Sequence, residues 1–291
     1  MKFKRTTAMI LSLMALLALC ACTKIEPRAA EAMHPVWQQA GTSVDLLPSM
    51  PLGDTPEAGT AIIYEIEPDF DAFKSAASAA FKCDIESMEK TQNGSTTIYK
   101  NDKCSLTYHE VTGYWSYERA DCTANKSAIS DELALLIAKD FVEDKGLCPG
   151  GWSEETVDAV NGDGGLLYKS VTLYPTIMGG TKVRGEYLLI IDVNADGEII
   201  KFVNNAANLK GYSEVPLISE GKIGDAIVNE SCGAGLSIEK HDPYAGREQS
   251  LARGYYADSM EHDGKCYLLP IYIITTTDSS GTRELLIDAQ S

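Results

Sequence analysis

The sequence predicts an α+β fold made of three repeated units, each with one helix followed by antiparallel strands. Three observations lead to this prediction. Apolar residues recur at the three- and four-residue spacing of an amphipathic helix in segments 70–81, 130–142 and 219–227. Short runs rich in β-branched and aromatic residues, separated by turn residues, follow each of these segments. A cysteine stands at or just beyond the end of each predicted helix, so the same order of elements recurs.

Residues 1–21 have the pattern of a bacterial lipoprotein signal peptide. A basic head at residues 2–5 precedes an apolar run that is shorter than the ~20 residues needed to cross a bilayer. The run ends in Leu-Cys-Ala-Cys at residues 19–22, which is similar to a lipobox with Cys22 as the lipidated residue. Cys20 fits less well because a bulky leucine directly precedes it. The alternative is an ordinary secretory signal with a coincidental cysteine.

The lipobox predicts an extracytoplasmic protein that acyl chains on Cys22 anchor to the bacterial membrane, at the outer face of the cell membrane in a Gram-positive host. The chain has a formal net charge of −17, and loss of the three basic residues in 1–21 would leave the mature chain near −20. This acidity excludes a nucleic-acid binder. It also opposes contact with an anionic leaflet, so only the lipid should touch the membrane.

Composition divides the rest of the chain into a tether and three folded units. Residues 22–59 are rich in proline and show no sustained helix or strand period, which predicts a flexible spacer. The folded units are predicted at 60–124, 125–212 and 213–291. Some 230 folded residues allow one large core or two to three small ones.

The first unit is predicted to begin with a strand at 61–66, which alternates apolar and polar residues. Asp69 can cap the helix that follows, and the apolar face of this helix ends just before Cys83. Further strands are predicted at 96–99, 104–110 and 114–118.

The second unit has the strongest helix signal. Ser130 is a good N-cap, acidic residues occupy the first turn, and Gly146 ends the helix. The predicted buried stripe consists of Leu133, Leu136, Ile137 and either Phe141 or Val142. Strands are predicted at 166–174, 186–192 and 198–204.

The third unit repeats this order. Ser219 is predicted to cap a helix that ends at Cys232. The apolar face of this helix consists of Ile223, Ala226 and Ile227. Strands are predicted at 251–258, 265–276 and 283–288.

Six cysteines remain after the lipobox, and an even number in an exported chain predicts disulfides. The repeat predicts three pairs, of which the last is what the first two leave: Cys83–Cys104, Cys232–Cys266 and Cys122–Cys148. The last pair flanks a helix of ~17 residues, or ~25 Å, while a disulfide needs Cα atoms within ~7 Å. That pair therefore requires residues 124–129 to run back along the helix.

Two short motifs resemble metal sites but lack part of the ligand set. Residues 192–197 carry the oxygen ligands and the glycine of half a calcium loop, but Val203 stands where a bidentate glutamate is needed. A hairpin turn is therefore favoured. His109 and Glu110 begin like a zinc-protease helix, but Gly113 stands where the second histidine belongs. The sequence predicts no metal and no cofactor.

The sequence also predicts a protein that is not an enzyme. It lacks the motifs of a serine nucleophile or a phosphate-binding loop, and all six cysteines are expected to pair. One acidic group is interpreted as a solvated loop rather than a ligand set, and it consists of Glu154, Glu155, Asp158 and Asp163.

Three aromatic residues crowd one predicted hairpin: Tyr114, Trp115 and Tyr117. Alternation along a strand sends some of these side chains to the core and others to solvent. Core packing is the simpler interpretation. The alternative is a recognition surface for a peptide, a glycan or a partner protein, because exposed tyrosine and tryptophan often anchor interfaces.

Segment 129–142 resembles the helix that opens PepSY-like units, with Ile-Ser-Asp-Glu-Leu-Ala followed by Ile-Ala and Phe-Val. Further segments resemble the strands and turns of the same unit, at 174–175, 179–180, 183–185, 187–192, 196–198, 216–219 and 269–289. The order of elements over most of 60–289 is similar to that of YycH/YycI-type proteins and related Gram-positive lipoproteins.

This resemblance implies extracytoplasmic α+β modules, some of which bind and restrain a sensor kinase or a peptidase. It implies no catalytic residues. The chain departs from the kinase regulators because it has a lipobox instead of a transmembrane helix, so a contact between helices inside the membrane is not expected.

The predicted function is a lipid-anchored, non-enzymatic binding or regulatory module that engages a membrane or cell-surface protein through a sheet face or an edge strand. One alternative is a surface lipoprotein that captures a peptide or a glycan. A second is a hydrolase whose site the sequence does not reveal. A deep cleft favours ligand capture, a flat apolar patch favours a protein partner, and a cleft with perturbed carboxylates favours an enzyme.

Overall fold

The computed structural model describes most of the chain beyond residue 58. The described ranges are 59–121, 129–162, 165–177, 179–219, 222–223, 232–239, 248–258 and 264–290, with Met33, Pro35 and Gly246 as single positions. The predicted signal peptide 1–21 and Cys22 lie outside these ranges, as do most of the predicted tether 22–59 and all but residues 222–223 of the third predicted helix. The described residues all belong to the unit Ala32–Ser291.

The predicted repeat of helix-plus-sheet units is wrong, because the described part of the chain is dominated by one large, mostly antiparallel sheet. Two α-helices have both ends described, α1 at Phe70–Phe81 and α2 at Asp131–Asp144, and one 3-10 turn lies at Ile85–Ser87. Residues 222–223 of the third predicted helix are also helical. The fifteen strands are β1 Thr60–Glu67, β2 Glu89–Asn93, β3 Thr96–Lys100, β4 Cys104–His109, β5 Trp115–Arg119, β6 Trp152–Gly162, β7 Gly165–Ile177, β8 Thr181–Gly185, β9 Leu189–Val193, β10 Ile199–Asn204, β11 Asn208–Pro216, β12 Cys232–Glu239, β13 Glu248–Ala257, β14 Tyr267–Asp278 and β15 Gly281–Asp288.

Five of these strands were not predicted: β2, β6, β8, β11 and β12. Strand β2 is exposed along its whole length, so it carries no apolar alternation that a sequence pattern could reveal. Strand β12 begins at Cys232, which was predicted to end a helix.

Eight strands form what we call the helix-covered sheet, in the order β6-β7-β9-β10-β5-β4-β3-β2. Every neighbouring pair in this sheet is antiparallel. One core of buried side chains joins the sheet to both helices, with Phe73 of α1, Val142 of α2 and Phe202 of β10 among its members. The helices of the first two predicted units therefore share one sheet.

The other strands form what we call the β14 sheet. Strand β14 pairs with β13 along one edge, and with β1 and then β15 along the other. Its residues Tyr267–Ile274 are all buried, as expected for a strand covered on both faces. Strand β1 also pairs with β11, so strands from all three predicted units lie in this sheet. Strand β12 pairs with β15, and β8 pairs in parallel with β13.

Strand β7 joins the two sheets. Its residues 169–173 pair with β9 of the helix-covered sheet, and Thr176 and Ile177 pair with β8 of the β14 sheet.

Part of the predicted tether contacts the folded part of the chain. Gln290 donates a hydrogen bond to the carbonyl oxygen of Met33, and Pro35 is buried. This piece of the predicted tether therefore packs against the folded part.

Both helices begin as the sequence predicts. The Asp69 carboxylate accepts a hydrogen bond from the Ala72 amide at 2.8 Å, and the Ser130 hydroxyl accepts one from the Leu133 amide at 3.2 Å. Helix α1 ends at Lys82, whose φ of 55° is left-handed. Gly146, with φ of 62°, follows α2 as predicted.

The predicted buried stripe of α2 is wrong in part. Leu133 and Leu136 are 47% and 54% exposed, and Ala134, Ala138 and Val142 face the core instead. Both rows of residues have helical spacing, so periodicity alone does not choose between them. The row with two alanines faces the sheet, since small side chains allow the helix backbone to approach closely.

A buried charge cluster connects the two sheets. The Arg184 guanidinium on β8 makes two contacts with the Glu284 carboxylate on β15, at 2.6 Å and 2.8 Å, and both side chains are only 2% exposed. Glu154 on β6 accepts from Arg184 at 2.8 Å and from Lys182 at 2.6 Å. Arg184 also lies over the Tyr174 ring, 5.6 Å from its centroid. Two cations and two anions therefore compensate one another.

Removal of one buried charge should destabilise the protein strongly. Glu284→Gln leaves Arg184 without its bidentate partner, and we expect the free energy of unfolding to fall by about 3–5 kcal/mol. The double variant Arg184→Met/Glu284→Leu should recover most of this loss, because it leaves no unpaired charge. Urea denaturation measures both effects.

The control for this experiment is Glu155→Gln, which removes a half-exposed ion pair with Lys139. It should cost about 1 kcal/mol or less. If Glu284→Gln and Glu155→Gln had the same effect, the buried cluster would not be the junction that holds the sheets.

Candidate functional site

A cleft of about 540 Å³ lies where the helix-covered sheet meets the β14 sheet. Four parts of the chain form its walls: the first half of α1, the loop 146–150 after α2, the end of β7 at 175–177, and the loop 204–209 that leads into β11. The lining residues on α1 are Ala72, Phe73 and Ala76, preceded by the capping residue Asp69. A volume of this size is in the usual range of small-ligand pockets.

The cleft has an apolar floor and an acidic rim. Phe73, Trp115 and Leu147 are buried and supply the floor. Glu67 and Asp69 lie at the rim. Lys210 pairs with the Glu67 carboxylate at 3.0 Å, and the Asn208 side chain donates a hydrogen bond to the Asp69 carboxylate at 3.1 Å. None of the described residues that line the cleft is basic. The cleft therefore suits apolar ligand groups, and a basic ligand group would compete with Lys210 for Glu67.

The tip of the β4–β5 hairpin packs against the start of α1 and closes one end of the cleft. Gly113 at this tip has φ of 69°, and a Cβ atom there would lie 2.9 Å from the Pro68 Cα atom. Both the backbone conformation and the close approach require glycine. The position of α1 against the sheet thus depends on a residue without a side chain.

His109 lies at the base of this hairpin and contacts two hydroxyl groups. Its Nε2 is 2.9 Å from the Ser95 hydroxyl, and its Nδ1 is 2.9 Å from the Thr112 hydroxyl. The Thr112 amide also donates to Nδ1 at 3.3 Å, so in the neutral ring the proton is on Nε2. That nitrogen donates to Ser95 and does not accept its proton, so this geometry fastens the hairpin and does not activate a serine.

Cys148 lies in the cleft wall as a half-buried thiol. Its sulfur donates a hydrogen bond to the Gly151 carbonyl oxygen at 3.1 Å. Burial raises the pKa of the Cys148 thiol to about 11, so little thiolate is present at neutral pH. This environment does not favour a nucleophilic cysteine. Its predicted partner Cys122 lies outside the described residues.

Core packing, the simpler interpretation of the three aromatic residues on the β4–β5 hairpin, holds for two of them, and the alternative of a recognition surface does not fit these two. Trp115 and Tyr117 are 6% and 8% exposed and belong to the core of the helix-covered sheet. Tyr117 stacks on Phe81 with ring centroids 3.8 Å apart. Tyr114 is half-buried against the core between β1 and β14, and burial raises its pKa. Trp115 contributes to the site only as part of the cleft floor.

The structure separates the predicted cysteine pairs into a close pair and a distant pair. The sulfur atoms of Cys83 and Cys104 are 3.3 Å apart. Cys232 on β12 pairs with Ile287 on β15, and Ile287 pairs in turn with Tyr272 on β14. Cys266 precedes Tyr272 by six residues along the chain. At ~3.3 Å per residue this separates the two cysteines by ~20 Å, so the predicted Cys232–Cys266 bridge does not fit this register.

The acidic group interpreted as a solvated loop belongs instead to a strand. Glu154, Glu155 and Asp158 lie on β6, and Asp163 lies outside the described residues. Glu154 enters the buried charge cluster, and Glu155 accepts from the Trp152 indole at 3.0 Å. Strand β6 was missed because its acidic composition hides its pairing with β7.

The segment with a calcium-like pattern forms the turn between β9 and β10, as predicted. The Asn194 side-chain oxygen accepts hydrogen bonds from the amides of Asp196 and Glu198 at 3.0 Å and 2.8 Å. Asp192, the first residue of the pattern, is 3% exposed and accepts a hydrogen bond from the Ser170 hydroxyl at 2.7 Å. These side chains therefore stabilise the hairpin.

Sequence reasoning missed the cleft as a whole. Its walls come from segments up to 140 residues apart, such as Asp69 and Asn208, which a hydrogen bond joins. Across the described ranges, no helix is long and apolar enough to span a bilayer.

Comparisons with known proteins give only distant similarities. No protein-family model matches the chain, and no curated protein is significantly similar to it. An uncharacterized protein from Eubacterium rectale is similar with a TM-score of 0.45 and 10% identity, over 81% of this chain and 84% of its own. The Bacillus megaterium YpeB C-terminal domain has a TM-score of 0.39 and 13% identity, over 77% and 94%. These values assign neither a family nor a function, and the PepSY-like resemblance stays a prediction.

Gly113→Ala should destabilise the protein and disturb the cleft. A left-handed conformation costs an alanine about 1–2 kcal/mol, and overlap with Pro68 should add about 1–3 kcal/mol. Gly94→Ala is the matched control, because Gly94 has φ of 59° but no atom within 4 Å of the added methyl group. Urea denaturation should therefore show a clearly larger loss for Gly113→Ala, and equal losses would contradict the contact.

Asp192 should make stability depend on pH. Burial raises its pKa above the ordinary value of 3.8, the nearby Glu118 adds to this, and Lys201 and the Ser170 hydrogen bond oppose it. The folded state then binds more protons than the unfolded state, so stability falls as pH rises through the folded pKa. Asp192→Asn should raise the melting temperature at neutral pH and flatten this decline, which thermal unfolding from pH 3.5 upward would measure.

Ser170→Ala is the companion to that experiment. It removes the hydrogen bond that favours the charged carboxylate, so the decline in stability with rising pH should become steeper. An unchanged pH profile in both variants would show that Asp192 does not titrate in this environment.

Proposed function

We propose that this protein is a lipid-anchored, extracytoplasmic binding module whose cleft holds an extended peptide segment with a basic residue. The segment belongs to a membrane or cell-surface protein, or to a free peptide. The observation that carries the proposal is the cleft between the two sheets, with its apolar floor and its acidic rim. Acyl chains on Cys22 would hold the domain outside the bilayer, so the partner is met there.

An extended peptide suits the chemistry of this cleft. Phe73, Trp115 and Leu147 offer apolar surface to a side chain, and the loops 146–150 and 204–209 bring backbone groups to the rim. Asp69 would attract a lysine or an arginine, and such a residue could replace Lys210 in its exposed ion pair with Glu67. The high negative charge of the chain would speed the approach of a basic ligand. A neutral glycan could donate hydrogen bonds to these carboxylates but would gain no charge pairing from them.

A binding role is also consistent with the environments of Cys148 and His109, the two side chains that could act in a hydrolase. The Cys148 thiol, with its pKa raised to about 11, is a poor nucleophile. The His109 ring donates to Ser95 instead of accepting its proton. These features support a non-enzymatic module.

A second candidate is a docking face for a protein partner on α2. Leu133 and Leu136 point outward on this helix, and exposed acidic residues flank them at Glu132 and Asp140. This arrangement favours a partner with a basic, amphipathic surface. Helix α2 does not line the cleft, so site-specific crosslinking can separate the two candidates.

Site-specific photocrosslinking should identify the surface that binds. A photoreactive amino acid at Ala72 in the cleft should capture a peptide or protein segment in membranes of the native host, and mass spectrometry should place a lysine or an arginine beside the crosslink. The control is the same probe at Ser78, which is exposed on the same helix but does not line the cleft. Capture from Leu136 instead of Ala72 would favour the α2 face.

Charge reversal should weaken this capture. Glu67→Lys replaces an acidic rim residue, and we expect about a tenfold loss of binding. Glu89→Lys makes the same change on the exposed strand β2, away from the cleft, and should have little effect. Equal capture from Ala72 and Ser78, or the same loss in both lysine variants, would contradict the proposal.

A further inference from the structure

We infer that Cys83 and Cys104 form a disulfide outside the cell, and that this cross-link fixes the α1 wall of the cleft. The inference rests on the proposed function, because that function places the domain in an oxidising compartment and makes the cleft the binding site. The cross-link would make the shape of the cleft depend on the redox state of one cysteine pair.

The two sulfur atoms are already in contact. They lie 3.3 Å apart, and the cysteines are 6% and 5% exposed. A disulfide bond is ~2.05 Å long, so the sulfurs must approach by little more than 1 Å. Side-chain rotation can supply a movement of this size without a change in the fold.

Local structure on both sides holds the pair in place. The left-handed Lys82 ends α1 and turns the chain so that Cys83 enters the core, and its amide bonds the Ser78 carbonyl oxygen at 3.0 Å. On the other side, the Asn101 side chain accepts hydrogen bonds from the amides of Lys103 and Cys104 at 2.8 Å and 2.9 Å. The backbone at each cysteine is therefore fixed before any bond forms.

Burial of the two thiols limits when the disulfide can form. Burial, and then the contact with Cys104, raise the pKa of the Cys83 thiol to about 12. The Tyr117 hydroxyl nearby is in the same apolar environment, and burial raises its pKa to about 12. Because exchange needs a thiolate, the pair reacts while the chain is still folding and is protected once the core has closed.

The reaction is an exchange with an external disulfide, such as oxidised glutathione or the disulfide of a thiol oxidase. One cysteine thiolate attacks the external disulfide and releases one thiol. The second cysteine thiolate then attacks this mixed disulfide, forms the Cys83–Cys104 bond and releases the second thiol. The external disulfide is reduced by two electrons, and the two cysteine protons pass through solvent to the released thiolates.

Helix α1 connects the cross-link to the cleft. Its first half lines the cleft with Ala72, Phe73 and Ala76. Its beginning is held by the hydrogen bond between Asp69 and Asn208 and by the contact of Pro68 with Gly113. Its end at Phe81 precedes Cys83 by two residues, so the disulfide would fix the second end of a helix whose first end is already fixed.

Peptide mapping tests whether the bond exists. The full chain is purified from bacterial membranes without reductant, alkylated under denaturing conditions and digested. We expect one linked peptide pair that contains Cys83 and Cys104 and is lighter by two hydrogens than the two separate peptides. Alkylation of both residues in this sample would overturn the inference.

Hydrogen exchange tests whether the bond controls the cleft. In the Cys83→Ala/Cys104→Ala variant, amides of 70–81 should exchange about tenfold faster than in the oxidised protein, and the melting temperature should fall by about 5–10 °C. The control is Cys148→Ala, which alters a cysteine in the cleft wall without touching α1 and should leave exchange in α1 unchanged.

Reduced and alkylated full chain separates loss of the bond from loss of the sulfur atoms. If this sample exchanges like the oxidised protein, the bond does not control α1 and that part of the inference is wrong. None of these readouts needs a ligand. A missing bond with normal photocrosslinking at Ala72 would overturn this inference alone, whereas a confirmed bond without photocrosslinking would overturn the proposed function alone.

Discussion

The buried ion pair between Arg184 and Glu284 is the interaction on which the arrangement of the two sheets depends. Charges this deeply buried are costly unless each is paired, and the bidentate geometry together with Glu154 meets that requirement. The cluster binds β8 to β15 within the β14 sheet and reaches β6 in the helix-covered sheet. Because Lys182 of β8 also pairs with Thr176 at the end of β7, the same strand positions one wall of the cleft.

The cleft follows from the way that two sheets share one long strand. Strand β7 leaves the helix-covered sheet at its end and continues into the β14 sheet, and the space beside this crossing is not filled by side chains. Helix α1 covers one side of that space, and Gly113 lets it lie close to the hairpin tip. Phe73 of α1, Trp115 of β5 and Leu147 of the loop after α2 form the floor, while Glu67 and Asp69 lie at the rim.

Predictions succeeded where a feature depends on residues close in sequence, and failed where it depends on contacts between distant segments. The caps at Asp69 and Ser130 were predicted because capping depends on residues three positions apart. The burial of Leu133 and Leu136 was predicted wrongly, since the approach of α2 to the sheet decides which helical row is inside. The cleft could not be predicted, because its walls meet only through contacts such as that between Asp69 and Asn208.

The sequence by itself determined the features that short-range chemistry sets: the acidic charge, the signal-like start with Cys22, the two described helices and the turn at 194–197. Only the tertiary structure decided the fold class, the burial of Trp115 and Tyr117, the contact of Cys83 with Cys104 and the distance of Cys232 from Cys266. The physical reason is strand pairing. A strand takes its partners and its register from distant parts of the chain, and the pattern of its own residues does not specify them.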